Sequence, residues 1–161
     1  HKAEAVLPVA LIDILGATNN NSEATPNPRH TAGDTTQTHA FFPNSMVEYN
    51  VLRQRLGANT CSAGICAPHA LNASATQASD WKTQTATAVA VSAADTPYGD
   101  NTAWYWVEVF PQTNTDIFVY RITVMAHGVM PNSSTVLQAI WARNTSTSIT
   151  GQWHSWHVLH D

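Results

Sequence analysis

The stretch from Trp104 to Arg143 constrains the fold more than any other part of the chain. It holds three apolar segments, 104–110, 116–126 and 134–143. All three are rich in β-branched and aromatic residues, the side chains that fit a pleated, half-buried surface. The breaks between them are Pro111-Gln112-Thr113-Asn114-Thr115 and His127-Gly128-Val129-Met130-Pro131-Asn132-Ser133. Connections of that length join antiparallel neighbours, because a parallel crossover needs about a dozen residues or more. The spacing therefore predicts a three-stranded antiparallel meander. Glu108 and Arg121 fall on adjacent predicted strands and form a candidate cross-strand ion pair. Its role is structural, worth at most about 1 kcal/mol if exposed.

Residues 3–16 are helix-length and apolar nearly all round, with Glu4 and Asp13 the only charges. A helix of that kind is buried on most faces. Gly16 is a natural stop, and Pro8 either opens the helix or kinks a longer one that entered from upstream. Residues 17–45, rich in Asn, Thr and Pro, read as loop and turns, with Phe41-Phe42-Pro43 anchoring the end of the loop in the core. Val47 to Leu52 reads as a short strand, Asn72 to Thr87 as a short helix held by Trp81, and Ala88 to Ser92 as a further strand.

The expected fold is α+β: one long N-terminal helix packed on a roughly four-stranded antiparallel sheet, with a long loop region and a short extra helix. It forms a single domain over 1–161. Residues 1–16 are the remainder of the helix, 17–72 a variable loop region, 73–143 the short helix and sheet, and 144–161 a C-terminal tail. The alternation in 104–110 adds a condition. One set, either Tyr105, Val107 and Val109 or Trp104, Trp106 and Phe110, lies under the helix.

A chain of 161 residues can bury a sizeable core. Its charged fraction is only 11%, far below the usual quarter, and Thr, Ser, Asn, Ala and Gln fill the deficit. Such a weakly charged polar surface suits secreted and assembled proteins. The net charge is −4 with no basic stripe, which argues against nucleic acid. No run approaches the roughly eighteen apolar residues of a membrane span. The chain begins at His1 rather than Met, as expected of a processed or trimmed product. Its two cysteines, Cys61 and Cys66, enclose a Gly-containing loop whose ends can approach disulfide distance. No second Cys pair completes a zinc site, so a disulfide is expected, worth about 2 kcal/mol. That bond implies an oxidising compartment.

Few residue patterns point to catalysis. There is no Gly-x-Ser-x-Gly and no phosphate loop. His154, His157 and His160 are the only candidate metal ligands, flanked by Trp153, Trp156 and Asp161. They sit at i, i+3 and i+6 near a chain end, without the i, i+4 pairing of helical metalloproteases or a second shell. A tail that docks Trp153 and Trp156 on the sheet and leaves the imidazoles outside is the simpler reading. Asp95, Asp100 and Asn101 flank a turn but match no calcium-loop spacing. No metal or other cofactor is expected, nor a catalytic residue. Six tryptophans raise carbohydrate stacking as an alternative, against their packing between sheet and helix.

Phe118-Val119-Tyr120-Arg121-Ile122-Thr123, Gly128, Ser134-Thr135-Val136-Leu137-Gln138 and Trp141-Ala142-Arg143 resemble the C-terminal signature of the PilX family, minor pilins of Gram-negative type IV pili. The Trp104–Phe110 segment and Trp81-Lys82 resemble it more loosely. The resemblance implies a truncated soluble domain from which the N-terminal transmembrane half-helix has been removed. With that half goes the acidic assembly residue of the family, a role that Glu4 does not inherit. It also implies a non-enzymatic subunit that initiates or caps the pilus, with other minor pilins, the major pilin and the inner-membrane assembly machinery as partners. Membrane contact would come only through the removed helix. The soluble domain would face the periplasm and then the exterior, within the extracellular pilus of twitching motility. A pseudopilin of type II secretion shares this architecture, and an adhesive or carbohydrate-binding module is the alternative from another class.

Overall fold

The computed structural model describes residues 2–19, 29, 39–57, 61–68, 77–95, 103–113, 115–128, 130, 133–145 and 148–160. In chain order these form α1 (Lys2–Asn19), α2 (Met46–Leu56), β1 (Cys61–Ser62), β2 (Ile65–Cys66), α3 (Ala78–Lys82), β3 (Val89–Ala90), β4 (Ala103–Pro111), β5 (Phe118–His127), β6 (Ser134–Arg143) and β7 (Gly151–Leu159). One sheet holds seven strands in the order β1-β2-β4-β5-β6-β7, with β3 also paired to β4. β4, β5 and β6 form an antiparallel ladder in which Val107 faces Ile122 and Ile122 faces Ala139.

α1 lies on β4, β5 and β6. It buries Ala3, Val6, Ala10 and Ile14, a 3-4-4 spacing that makes one helical stripe. Of the two sets that alternate along β4, it is Tyr105, Val107 and Val109 that join this core, with Tyr120, Ile122, Val124 and Leu137 from the neighbouring strands. Trp106 points the other way. There it meets Trp81 of α3 with ring centroids 5.1 Å apart, and Met125, Val136, Cys61, Cys66 and Leu159 complete a second core. The tryptophans are therefore not gathered between sheet and helix. Trp141 lies on the α1 face, whereas Trp81 and Trp106 lie on the opposite one.

A long helix on a four-stranded sheet is thus not the fold. α1 has 18 residues, and the sheet gains strands at both sides of the meander. The cysteine segment is a hairpin, with Ala63 and Gly64 at φ of 48° and 76° in its two-residue turn. Positive φ at both positions is what a type I′ turn requires. Cys61 and Cys66 are disulfide-bonded, and β2 runs parallel to β4. At the other side the expected tail is β7, paired antiparallel with β6. Gly151 permits that approach, since a Cβ there would overlap the Trp141 ring and the Ala142 carbonyl.

Smaller differences have local causes. Val47–Leu52 is helical, within α2, because Ser45 caps it: its Oγ accepts from the Glu48 N–H at 3.2 Å, and the Glu48 carboxylate accepts from the Asn44 N–H at 2.6 Å. α1 runs through Gly16, with Pro8 inside it on the outward face. The helix expected over 72–87 is the five-residue α3 followed by a 3₁₀ turn at Thr85–Thr87, while 72–76 lie outside the described residues. The strand over 88–92 is reduced to β3. Phe41 and Phe42 are buried. Most of 17–45 is outside the described residues, as are Asp100 and Asn101.

Glu108 and Arg121 are directly opposite and almost fully buried, at 1% and 7% exposure. The guanidinium grips the carboxylate through Nε at 2.6 Å and Nη2 at 3.1 Å, and it stands 5.0 Å from the centre of the Phe110 ring. The exposed-pair value of at most about 1 kcal/mol therefore does not apply. Removing one partner of a buried pair strands the other charge, at about 3–5 kcal/mol. Glu108→Ala is expected to lower the unfolding free energy by that amount in urea titration. Glu108→Leu combined with Arg121→Met is expected to recover most of the loss.

Candidate functional site

α1 is fixed to the sheet by polar contacts at its C-terminal half. The Asp13 carboxylate accepts from the Tyr105 hydroxyl at 2.7 Å and from Arg29 Nε and Nη2 at 3.0 and 2.7 Å. Arg29 Nη1 also donates to the Ala63 carbonyl in the hairpin turn, which ties helix, β4 and hairpin together. On β6, Arg143 Nη2 reaches the Ile14 carbonyl at 3.5 Å. These anchors hold the helix over the three central strands and short of β7.

The consequence is a groove between α1 and β7. Its lining is Glu4, Leu7, Pro8, Trp153 and Trp156, and its volume is about 490 Å³. Pairing on β6 explains the lining. Trp141 faces Trp153, Ala139 faces Trp156, and Leu137 faces Val158, so all three β7 side chains share the face on which α1 lies. With no helix above them they stay open: Trp153 is 45%, Trp156 60% and Val158 42% exposed. One turn beyond Pro8 on α1, Ile12 is 71% exposed. The outer flank of α1 and the adjoining strand thus present apolar side chains to solvent, with Glu4 as the only charged side chain among the described residues that line the groove.

This differs from the sequence reading at β7, where Trp153 and Trp156 do not dock into the core. Among the described side chains of α1, only Pro8 and Ile12 are exposed, and Leu7, Val9, Leu11 and Leu15 pack beside its buried stripe. Among the tryptophans considered for sugar stacking, Trp106 and Trp141 are buried and Trp104 is half-buried, its ring edge-on to His127. The two open rings are those of β7. Their exposure was not legible because a Trp-His-Ser-Trp-His run fits a docked tail and an uncovered edge strand equally well.

His154, His157 and His160 are all exposed, on or just after β7. The i, i+3, i+6 spacing could have placed them partly on one face of a helix, but Gly151–Leu159 is a strand. His157 is opposite Gln138, His154 falls at the irregularity that interrupts the ladder beside Trp141, and the His160 carbonyl accepts from the Ala78 N–H. Among the described residues no three His, Cys, Asp or Glu side chains come together as a metal site. No helix among them is long and apolar enough to cross a membrane. Comparison with protein-family models, curated proteins and solved structures finds no match.

Among the described residues, burial perturbs three tyrosines. Burial pushes Tyr120 up to about 12, against a smaller opposing effect of Arg143. Burial also raises Tyr49, whose hydroxyl donates to the Pro68 carbonyl, and Arg53 partly offsets the rise. Tyr105 is raised furthest, first by burial and then by the Asp13 carboxylate beside it. The net effect of the fold at each favours the neutral phenol, so this stability is complete below the unfolded value of about 10 and falls as pH rises from 10 towards 12. Denaturation midpoints are expected to drop across that window. Tyrosinate absorbance should show Tyr49, Tyr105 and Tyr120 un-ionised just above pH 10 while the protein stays folded; free ionisation of all three there would contradict the burial argument.

Proposed function

We propose that this chain is a non-enzymatic assembly subunit, a minor pilin of the type IV pilus, that initiates or caps filament growth through protein–protein contacts. The observation that carries the proposal is the apolar surface left open along the outer flank of α1 and on β7, at Pro8, Ile12, Trp153, Trp156 and Val158. Isolated exposed apolar residues are ordinary, but a grouped set marks an interaction surface. The resemblance of residues within 118–143 to the PilX-type signature supports this choice of subunit class. The low charge fraction and the Cys61–Cys66 bond suit an oxidising, extracytoplasmic setting. On this reading the partners are other minor pilins, the major pilin and the inner-membrane assembly machinery. The domain faces the periplasm before assembly and the exterior afterwards. A pseudopilin of type II secretion would use the same surface.

A photo-crosslinking residue at Ile12, in cells that make the chain natively, is expected to give adducts with pilin-class subunits. The same residue at Gln54, exposed on α2, should give none. Absence of adducts at Ile12 would count against the assembly role.

The groove also favours a second reading. Two open indoles can stack on a pyranose ring, and the Glu4 carboxylate beside them can accept from its hydroxyls. Glycan titration should then shift tryptophan fluorescence, and Trp156→Ala should abolish the shift. No response to any glycan would remove this alternative.

A further inference from the structure

We propose that β7 is a pairing edge for a second copy of this chain, joined β7 to β7 in antiparallel register about a two-fold axis through His157. β7 is the last strand of the sheet, and among the described residues nothing pairs with its outer side. An unpaired strand presents a row of backbone donors and acceptors that a further strand can satisfy. Natural edges are usually blunted by Lys, Pro, inward charges or a bulge. Gly151–Leu159 contains no Lys, Arg, Asp, Glu or Pro. The irregularity opposite Ile140 and Trp141 disturbs only its first half, so Ser155–Leu159 is the regular run available for pairing.

The register follows from that run. A two-fold at its centre sets His157 against His157, Trp156 against Val158 and Ser155 against Leu159 of the second copy. Trp156 and Val158 are 60% and 42% exposed and share the α1 face. The axis therefore creates two aromatic–β-branched pairs, which are favourable cross-strand neighbours. The axis is perpendicular to the sheet, so both helices stand on the same side. The two grooves, each lined by Glu4, Leu7, Pro8, Trp153 and Trp156, then join into one trough. No charged side chain from either strand meets a like charge, although the chain carries a net charge of −4. A second copy fits better than an arbitrary peptide because the strand is complementary to itself in this register. Five paired residues and the two flanking side chains bury less than the roughly 1,600 Å² of a standard interface. The dimer is therefore weak and concentration-dependent.

This inference shares β7 with the assembly reading and deepens it, but its test uses purified chain alone. A failed dimer leaves the Ile12 cross-links intact, and failed cross-links leave the dimer intact. Sedimentation from about 1 μM to 1 mM is expected to show monomers converting to dimers. His157→Cys should form an intermolecular disulfide under mild oxidation, because directly opposed Cα atoms lie about 4.5–5.5 Å apart, within disulfide reach. Gln152→Cys, outside the paired run, should stay monomeric. Trp156→Lys, a surface change whose folding circular dichroism checks, should weaken the dimer at least about tenfold. A monomer throughout the range, a His157→Cys chain that does not cross-link, or a dimer undiminished in Trp156→Lys would each overturn the proposal.

Discussion

β4 and β5 are buried on both faces along nearly their whole length, and the rest of the fold answers to that requirement. A half-solvated antiparallel sheet needs cover on one side only. Here the strands carry large apolar side chains on both, so two separate covers are needed. α1 supplies one, seated on Tyr105, Ile122 and Val124. α3 and the disulfide hairpin supply the other, around Trp106 and Met125. The Asp13–Arg29–Tyr105 cluster secures the first, and parallel pairing of β2 with β4 secures the second.

The same constraint explains what is left open. α1 has 18 residues and one buried stripe, wide enough for three strands. β7 is the next strand out and has no helix above it. Its exposed tryptophans follow from a cover narrower than the sheet it protects, and Ile12 is exposed because it lies with Pro8 on the side of α1 turned away from the sheet. The buried Glu108–Arg121 pair is compatible with this architecture because each ion satisfies the other directly across the ladder. A lone charge at either position would not be tolerated.

Much of the sheet was legible in sequence, and for a physical reason. Three apolar segments with short breaks leave antiparallel pairing as the only economical arrangement, and the alternation in 104–110 divides cleanly into Tyr105-Val107-Val109 on one face and Trp104-Trp106 on the other. The helical nature of Val47–Leu52 was also available, in the spacing of Ser45 and Glu48, but the apolar-polar alternation of Val47-Glu48-Tyr49 pointed to a strand. The breadth of the sheet was not legible. β1, β2 and β3 are two residues each and owe their existence to backbone pairing, of β2 and β3 with β4 and of β1 with β2, rather than to local propensity. β7 mixes Trp with His, Ser and Gln in no pattern of its own, and its pairing is dictated by β6. The candidate site depends on where α1 stops covering the sheet, a tertiary fact that no single stretch encodes.

The account's central claim is that cover ends at β6 and leaves the outer edge of β7 to solvent in the isolated chain. Amide hydrogen exchange on dilute protein tests this most directly. β4 and β5 amides are expected to exchange only through global unfolding. Along β7, amides directed at β6 should be protected, while alternate amides, directed outward, exchange rapidly. Uniform protection of every β7 amide at the level of β4 would contradict the claim.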